Sequence, residues 1–310
     1  MPLPKLVIVT GSSDPFRTAH YWSSWRYRAC HDDLPIIMVA NGVGTKFNVH
    51  EAEWVETIRN NTVLGQAGDV ITAVDEYLGV VPAFHAACEV ALRSSDAEIF
   101  CCFHDDLQIR EANWDLVVAD HFDRHPQCDL AGFGGAMGVG VDGMYDKDVE
   151  FQPSMLGRRD FGSNMLDART HGDLWSSPRQ VAVLDGFSMI FRRRFLELDA
   201  SANIFTRLTA LGMIHHAYDV AISGLAHEQG RETWFLPIMC HHGGGQTAVG
   251  DPGYQNWAKT TRPHGDQDFW EESHRITYDL MRGILPFSVD PPGKPAPVIS
   301  HVVYPLGDAE

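Results

Sequence analysis

The sequence predicts an α/β protein with a mixed, mainly parallel sheet flanked by helices, built as a single large domain. Three observations point there. Short apolar runs of strand length alternate with segments of helical periodicity. Most runs end at a polar or turn-rich cluster. The runs are continuously apolar rather than alternating, as strands covered on both faces are. With 310 residues, 44% of them hydrophobic, the chain can bury a substantial core.

Leu6-Val7-Ile8-Val9 is the first such run and stops at Thr10-Gly11-Ser12-Ser13-Asp14-Pro15. Residues 20–30, with Tyr21, Trp22, Trp25 and Tyr27, read as an aromatic-rich helix. Residues 35–40 then supply a second strand ending at Asn41-Gly42. Trp54, Val55 and Ile58 have helical spacing, and Val70-Ile71 is a short strand candidate. From Val81 to Leu92, residues Phe84, Ala87, Cys88, Ala91 and Leu92 recur at helical intervals. Ile99-Phe100-Cys101-Cys102-Phe103 is a strongly apolar strand that runs straight into His104-Asp105-Asp106. A helix over 114–122 and a strand over 129–133 follow. Residues 134–179 carry glycine, aspartate and arginine with little periodicity, and read as a long structureless insertion. Order resumes at 181–184, with a strand at 187–191, a helix around 216–227 and a strand at 233–239. That strand leads into Cys240-His241-His242-Gly243-Gly244-Gly245. A helix over 269–285 and a proline-rich tail after Asp290 close the chain, so 1–245 forms the main domain and 246–310 an extension.

The formal net charge of −17 disfavours non-specific attraction to nucleic acid or an anionic membrane. The N-terminal apolar run is too short for a signal peptide, and no window approaches a transmembrane span. Six cysteines form neither a disulfide framework nor a C-x-x-C pair, which fits a reducing, cytoplasmic setting.

Two adjacent carboxylates, Asp105 and Asp106, at the end of a buried strand suit a hard divalent cation bridging to phosphate oxygens. A solvated turn or a helix start would carry the same residues. His241 and His242 end another strand, and imidazole is the commonest side chain for divalent transition metals; a polar loop is the bland alternative. Since side chains alternate along a strand, one of the two faces the site, with a slight preference for His241. Asp219 is either a general base or a helix cap before Val220-Ala221-Ile222. Asp185-Gly186 is a turn that a sugar would contact in a transferase.

Three other features are set aside. Gly138-Val139-Gly140-Val141-Asp142-Gly143 matches G-x-G-x-x-G, but no amphipathic helix follows. Arg192-Arg193-Arg194 suits an exposed edge better than a phosphate clamp. Trp22 and Trp25 at helical spacing read as core.

In order along the chain, these pieces resemble the family 2 glycosyltransferases, which have a GT-A fold. The resemblance runs from about Leu3 to Gly245. Tyr77-Leu78-Gly79-Val80-Val81-Pro82-Ala83-Phe84 looks like the segment preceding the family's metal motif, and Phe103-His104-Asp105-Asp106-Leu107 like the motif itself. Asp185-Gly186-Phe187 is similar to the sugar-site turn, Tyr218-Asp219 to the catalytic acidic position, and His241-His242-Gly243 to the C-terminal metal-binding segment. Departures are Asn41, where an aspartate is frequent, His85, where an asparagine is frequent, and the insertion 138–179, which would meet the acceptor.

The resemblance implies a metal-dependent, inverting glycosyltransferase with a nucleoside-diphosphate sugar of the UDP or GDP type as donor. Mn²⁺ or Mg²⁺ would be held by Asp105, Asp106 and His241 or His242, with Asp219 as base. Thr10, Gly11, Asn41, Gly79, His104, Asp105, Asp185 and Gly186 would line the donor. The acceptor, the sugar and the oligomeric state stay open. The rivals are a nucleotidyltransferase, for which the lysine-rich phosphate loop after the first strand is missing, and a non-catalytic carbohydrate-binding relative.

Overall fold

The structure is a computed structural model that describes residues 5–42, 68–140, 158–165, 172–199, 202–243, 252–285 and 287–289. In its first half, strands and helices alternate: β1 (Leu6–Ser12), α1 (Pro15–Tyr27), β2 (Ile36–Asn41), β3 (Val70–Val74), α2 (Val80–Ser94), β4 (Ile99–Phe103), β5 (Leu107–Ile109), α3 (Trp114–Arg124) and β6 (Cys128–Gly132). Then come β7 (Gly134–Val139), β8 (Arg158–Ser163), β9 (Asp173–Leu174), β10 (Arg179–Gln180), β11 (Val183–Leu184), β12 (Ser188–Arg192), α4 (Arg193–Leu196), β13 (Glu197–Asp199) and β14 (Ala202–Asn203). The remainder is α5 (Ile204–Ala210), α6 (Tyr218–Glu228), β15 (Glu232–Phe235), β16 (Cys240–His242), α7 (Pro252–Thr261), α8 (Asp266–Met281) and β17 (Phe287–Ser288).

Eight strands form the central sheet in the order β10-β15-β6-β12-β4-β1-β2-β3. β1 pairs in parallel with β2 and β4, β2 with β3, and β6 with β15. β12 is the exception inside the sheet, running antiparallel to both β4 and β6. The mixed, mainly parallel sheet flanked by helices is therefore as expected from the apolar runs. Along β4, Ile99, Cys101 and Phe103 pack with Trp22, Trp25 and Trp114, whereas Phe100 and Cys102 pack on the other face with Phe84 and Phe191. Burial on both faces is the physical reason this strand shows no hydrophobic alternation. Trp25 is core, as its spacing suggested, and its indole N–H donates to Leu107 O at 2.8 Å.

The segment after residue 133 corrects the sequence reading. It is not structureless: β7 pairs antiparallel with β8, β11 and β17 in a second, five-stranded sheet. Its glycines hid the strands, because Gly134, Gly135 and Gly138 on β7 carry no side chain to show a period. Gly138 and Val139 belong to this sheet and not to a phosphate loop. The extension beyond residue 245 joins the same body: β17 pairs with β7, and Met281 of α8 packs with Val220 of α6. The strand predicted over 233–239 ends at Phe235. The spacing of Trp54, Val55 and Ile58, residues Gly244 and Gly245, and the proline-rich tail lie outside the described residues.

Arg192, Arg193 and Arg194 are neither a clamp nor simply an edge. Arg192 donates to Cys128 O and Phe122 O, and Arg193 to Leu92 O and Ser95 O. Arg194 donates to the buried carboxylate of Asp129 at 2.7 Å. They tie off the ends of neighbouring helices and strands at the end of β12 away from the acidic pair.

Candidate active site

The site is assembled where β4 and β16 end and β12 begins. Phe103 closes the buried part of β4, and the chain turns at once, with His104 N–H donating to Phe187 O at 3.0 Å and Leu107 N–H returning to His104 O. β16 lies antiparallel to β5, with His242 opposite Leu107 and His241 opposite Gln108. That register turns His242 toward the acidic pair: its Nε2 is 3.1 Å from Asp106 Oδ1. It is His242, and not the slightly preferred His241, that lies beside Asp106. The Phe187 ring stacks on His242, with centroids 4.8 Å apart, and the Gly243 N–H donates to Asp106 O.

His104, Asp106 and His242 each offer a ligand atom, and these atoms all lie within 4.8 Å of one another. Two imidazole nitrogens and one carboxylate oxygen fit a divalent first-row transition ion, and fit Mn²⁺ better than Mg²⁺, which prefers oxygen throughout. Burial, followed by the neighbouring His242, pushes the His104 imidazole down to about 4, so it is neutral and has a lone pair to give. Burial also pushes His242 down, but Asp106, together with Asp185 and Asp105, outweighs it and raises His242 above its ordinary value. Asp105, which this trio does not include, accepts a hydrogen bond from the Ser12 hydroxyl at the end of β1.

Asp219 lies in the first turn of α6 and is 5% exposed. Its Oδ2 accepts the Gly186 N–H at 2.9 Å and a guanidinium N–H of Arg158, while its Oδ1 accepts the Val220 N–H. Arg158 also reaches Asp185 Oδ2 at 3.2 Å and so bridges the two carboxylates. Tyr218 joins this group to the histidines, since its hydroxyl donates to Gly186 O at 2.9 Å and lies 2.6 Å from His104 Nε2. The predicted His104, Asp106, His242, Asp185, Gly186 and Asp219 are thus drawn into one connected network.

The remaining predicted positions sit on the strand ends beside it. Thr10 and Gly11 lie near the C-terminal end of β1, with Thr10 fully buried. Asn41 ends β2, and its Oδ1 accepts the Leu78 N–H at 2.8 Å, so the amide holds the turn that leads into α2. Gly79 in that turn has φ 83°, and a Cβ there would collide with Ile214. Sequence reasoning missed Arg158, Tyr218 as a link, and Ser12. Arg158 stands in the stretch whose period the glycines concealed, and only proximity in space marks it.

No family profile matches this chain, and no curated protein matches it either. Among solved structures, the chain is similar to the mannosyltransferase PcManGT from Pyrobaculum calidifontis, in complex with GDP-Man and Mn²⁺. The identity is 14%, over 89% of this chain and 70% of that one, with a TM-score of 0.43. It is similar also to GalNAc-T7 with UDP, GalNAc and Mn²⁺, at 11% identity over 91% of this chain and 57% of that one, with a TM-score of 0.49. Among the described residues, no helix is long and apolar enough to cross a membrane.

Proposed function

We propose that this chain is a metal-dependent, inverting glycosyltransferase of the GT-A type, moving a sugar from a nucleoside diphosphate to an acceptor hydroxyl. One observation carries the reading: a two-imidazole, one-carboxylate donor set at strand ends, wired through Tyr218 and the Gly186 peptide to a second, separately held carboxylate. A bound divalent ion would supply Lewis-acid stabilisation of the diphosphate leaving group, held by His104, Asp106 and His242.

The rest of the chemistry belongs to the chain. Asp219 takes the proton of the acceptor hydroxyl as that oxygen bonds to the anomeric carbon, and the bond to the diphosphate oxygen breaks on the opposite face. The Gly186 N–H and Arg158 fix the carboxylate that must face the acceptor. Ser12 orients Asp105 at the end of β1, where open α/β sheets receive nucleotides.

The test is a thermal-shift panel of UDP and GDP sugars with and without Mn²⁺, followed by product analysis. A matching donor raises Tm only with the metal present and releases nucleoside diphosphate. Release of pyrophosphate from a nucleoside triphosphate would instead make the chain a nucleotidyltransferase.

A further inference from the structure

The approach to Asp219 is made in an unfavourable backbone conformation. His216 and Ala217, immediately before α6, have φ 41° and 53°, the left-handed region that residues with a Cβ avoid. Consecutive residues of this kind persist only where neighbours over-determine them. Here the neighbours are identifiable. The Val81 N–H donates to Ile214 O at 3.0 Å and Ser273 Oγ to His215 O at 2.8 Å, and the Thr277 hydroxyl is shared between Ala217 O at 3.3 Å and Ser273 O of its own helix at 2.8 Å. His216 Nε2 lies 2.8 Å from Asp266 Oδ1, and the Tyr254 hydroxyl donates to that same oxygen.

All but one of these partners stand on α7 and α8, in the extension. The Asp266 carboxylate and the Ser273 hydroxyl are spent on the strained linker, the Tyr254 hydroxyl supports Asp266, and the Thr277 hydroxyl reaches both the linker and its own helix. Ser273 and Thr277 are almost wholly buried, where an apolar residue would pack at no polar cost. A helix serving only to cover α6 would have no use for the Ser273 hydroxyl on the His215 carbonyl or for the Asp266 carboxylate beside the His216 imidazole.

We infer that Asp266 and Thr277 are positioning residues, clamping the His216–Ala217 linker so that Asp219 meets the Gly186 N–H at the reacting centre. The extension is then part of the catalytic apparatus and not an appendage. The assignment of a catalytic consequence rests on Asp219 being the base proposed above; the positioning itself does not.

The experiment compares wild type, Asp266→Asn, Thr277→Val and Thr277→Ser by amide hydrogen exchange and by steady-state kinetics. The Gly186 amide reports the position of the Asp219 carboxylate, and the amides of Phe100, Cys101 and Cys102 report the core. Asp266→Asn and Thr277→Val speed exchange at Gly186 about five- to tenfold, as loss of a net hydrogen bond implies, with core amides unchanged. They lower kcat by about tenfold with little change in donor KM, and Thr277→Ser restores both readouts. Wild-type protection of Gly186 in Asp266→Asn and Thr277→Val overturns the inference, as does an equal rise at the core amides. If Gly186 loses protection but wild type turns over no nucleotide sugar, the positioning stands and the transferase reading falls.

Discussion

Asp106 and His242, far apart in the sequence, meet at 3.1 Å between Oδ1 and Nε2 because β16 returns antiparallel to β5 and sets His242 opposite Leu107. An imidazole beside a carboxylate on two separate elements is a ligand pair that neither element could offer alone. Mn²⁺ titration followed by electron paramagnetic resonance tests it. Asp106→Ala and His242→Ala weaken binding by about 10- to 100-fold or more, while His241→Ala leaves it unchanged. Mg²⁺ competes poorly in the same titration, since two of the three ligands are nitrogen.

Asp219→Asn separates binding from chemistry. The amide oxygen still accepts the Gly186 N–H, so the fold and the donor site persist. Turnover falls by about 10²–10⁴-fold, the usual loss for a general base, with donor affinity measured by calorimetry unchanged.

Gly79→Ala and Gly230→Ala form a matched pair. Both glycines have positive φ, 83° and 66°, but only Gly79 has Ile214 and His215 packed where a Cβ would go. Urea unfolding gives a loss of about 1–2 kcal/mol for Gly230→Ala, the left-handed cost alone. For Gly79→Ala the loss is about 2–5 kcal/mol, because overpacking adds to it.

Asp266 shapes the acid limb of stability. Partial burial pushes its carboxyl up, but the hydrogen bond and charge of His216 and the Tyr254 hydroxyl together hold it below the ordinary 3.8. The folded state therefore binds fewer protons than the unfolded state just below that value. This contribution is fully present above 3.8 and is lost as the pH falls through the folded value. Unfolding followed against pH shows a shallower acid decline in Asp266→Asn than in wild type.

The central sheet was legible in the sequence because strands buried on both faces must be apolar throughout, as 6–9, 36–40 and 99–103 are. The carboxylate pair was legible because Phe103 delivers it directly from such a strand. The choice between His241 and His242 was not, since alternation fixes that one of them faces inward but the register with β5 decides which. Nor was Arg158, whose strand pairs with the glycines of β7 and so has no hydrophobic period opposite it. The left-handed linker at His216–Ala217 breaks local preference, and its cause, Ser273 and Thr277, stands some sixty positions downstream.

The antiparallel strand β12 carries a consequence for biosynthesis. It is the seam between β4 and β6, and residues 188–192 leave the ribosome after both of its neighbours. Until they do, Ile99–Phe103 has nothing to pair with on that flank, and its apolar surface is open to other nascent chains. A chain halted before Ser188 would hold the four-stranded half-sheet β4-β1-β2-β3 beside an unpaired β6, whose other neighbour, β15, is made later still, so the open flank of β4 is closed only when that one short strand arrives.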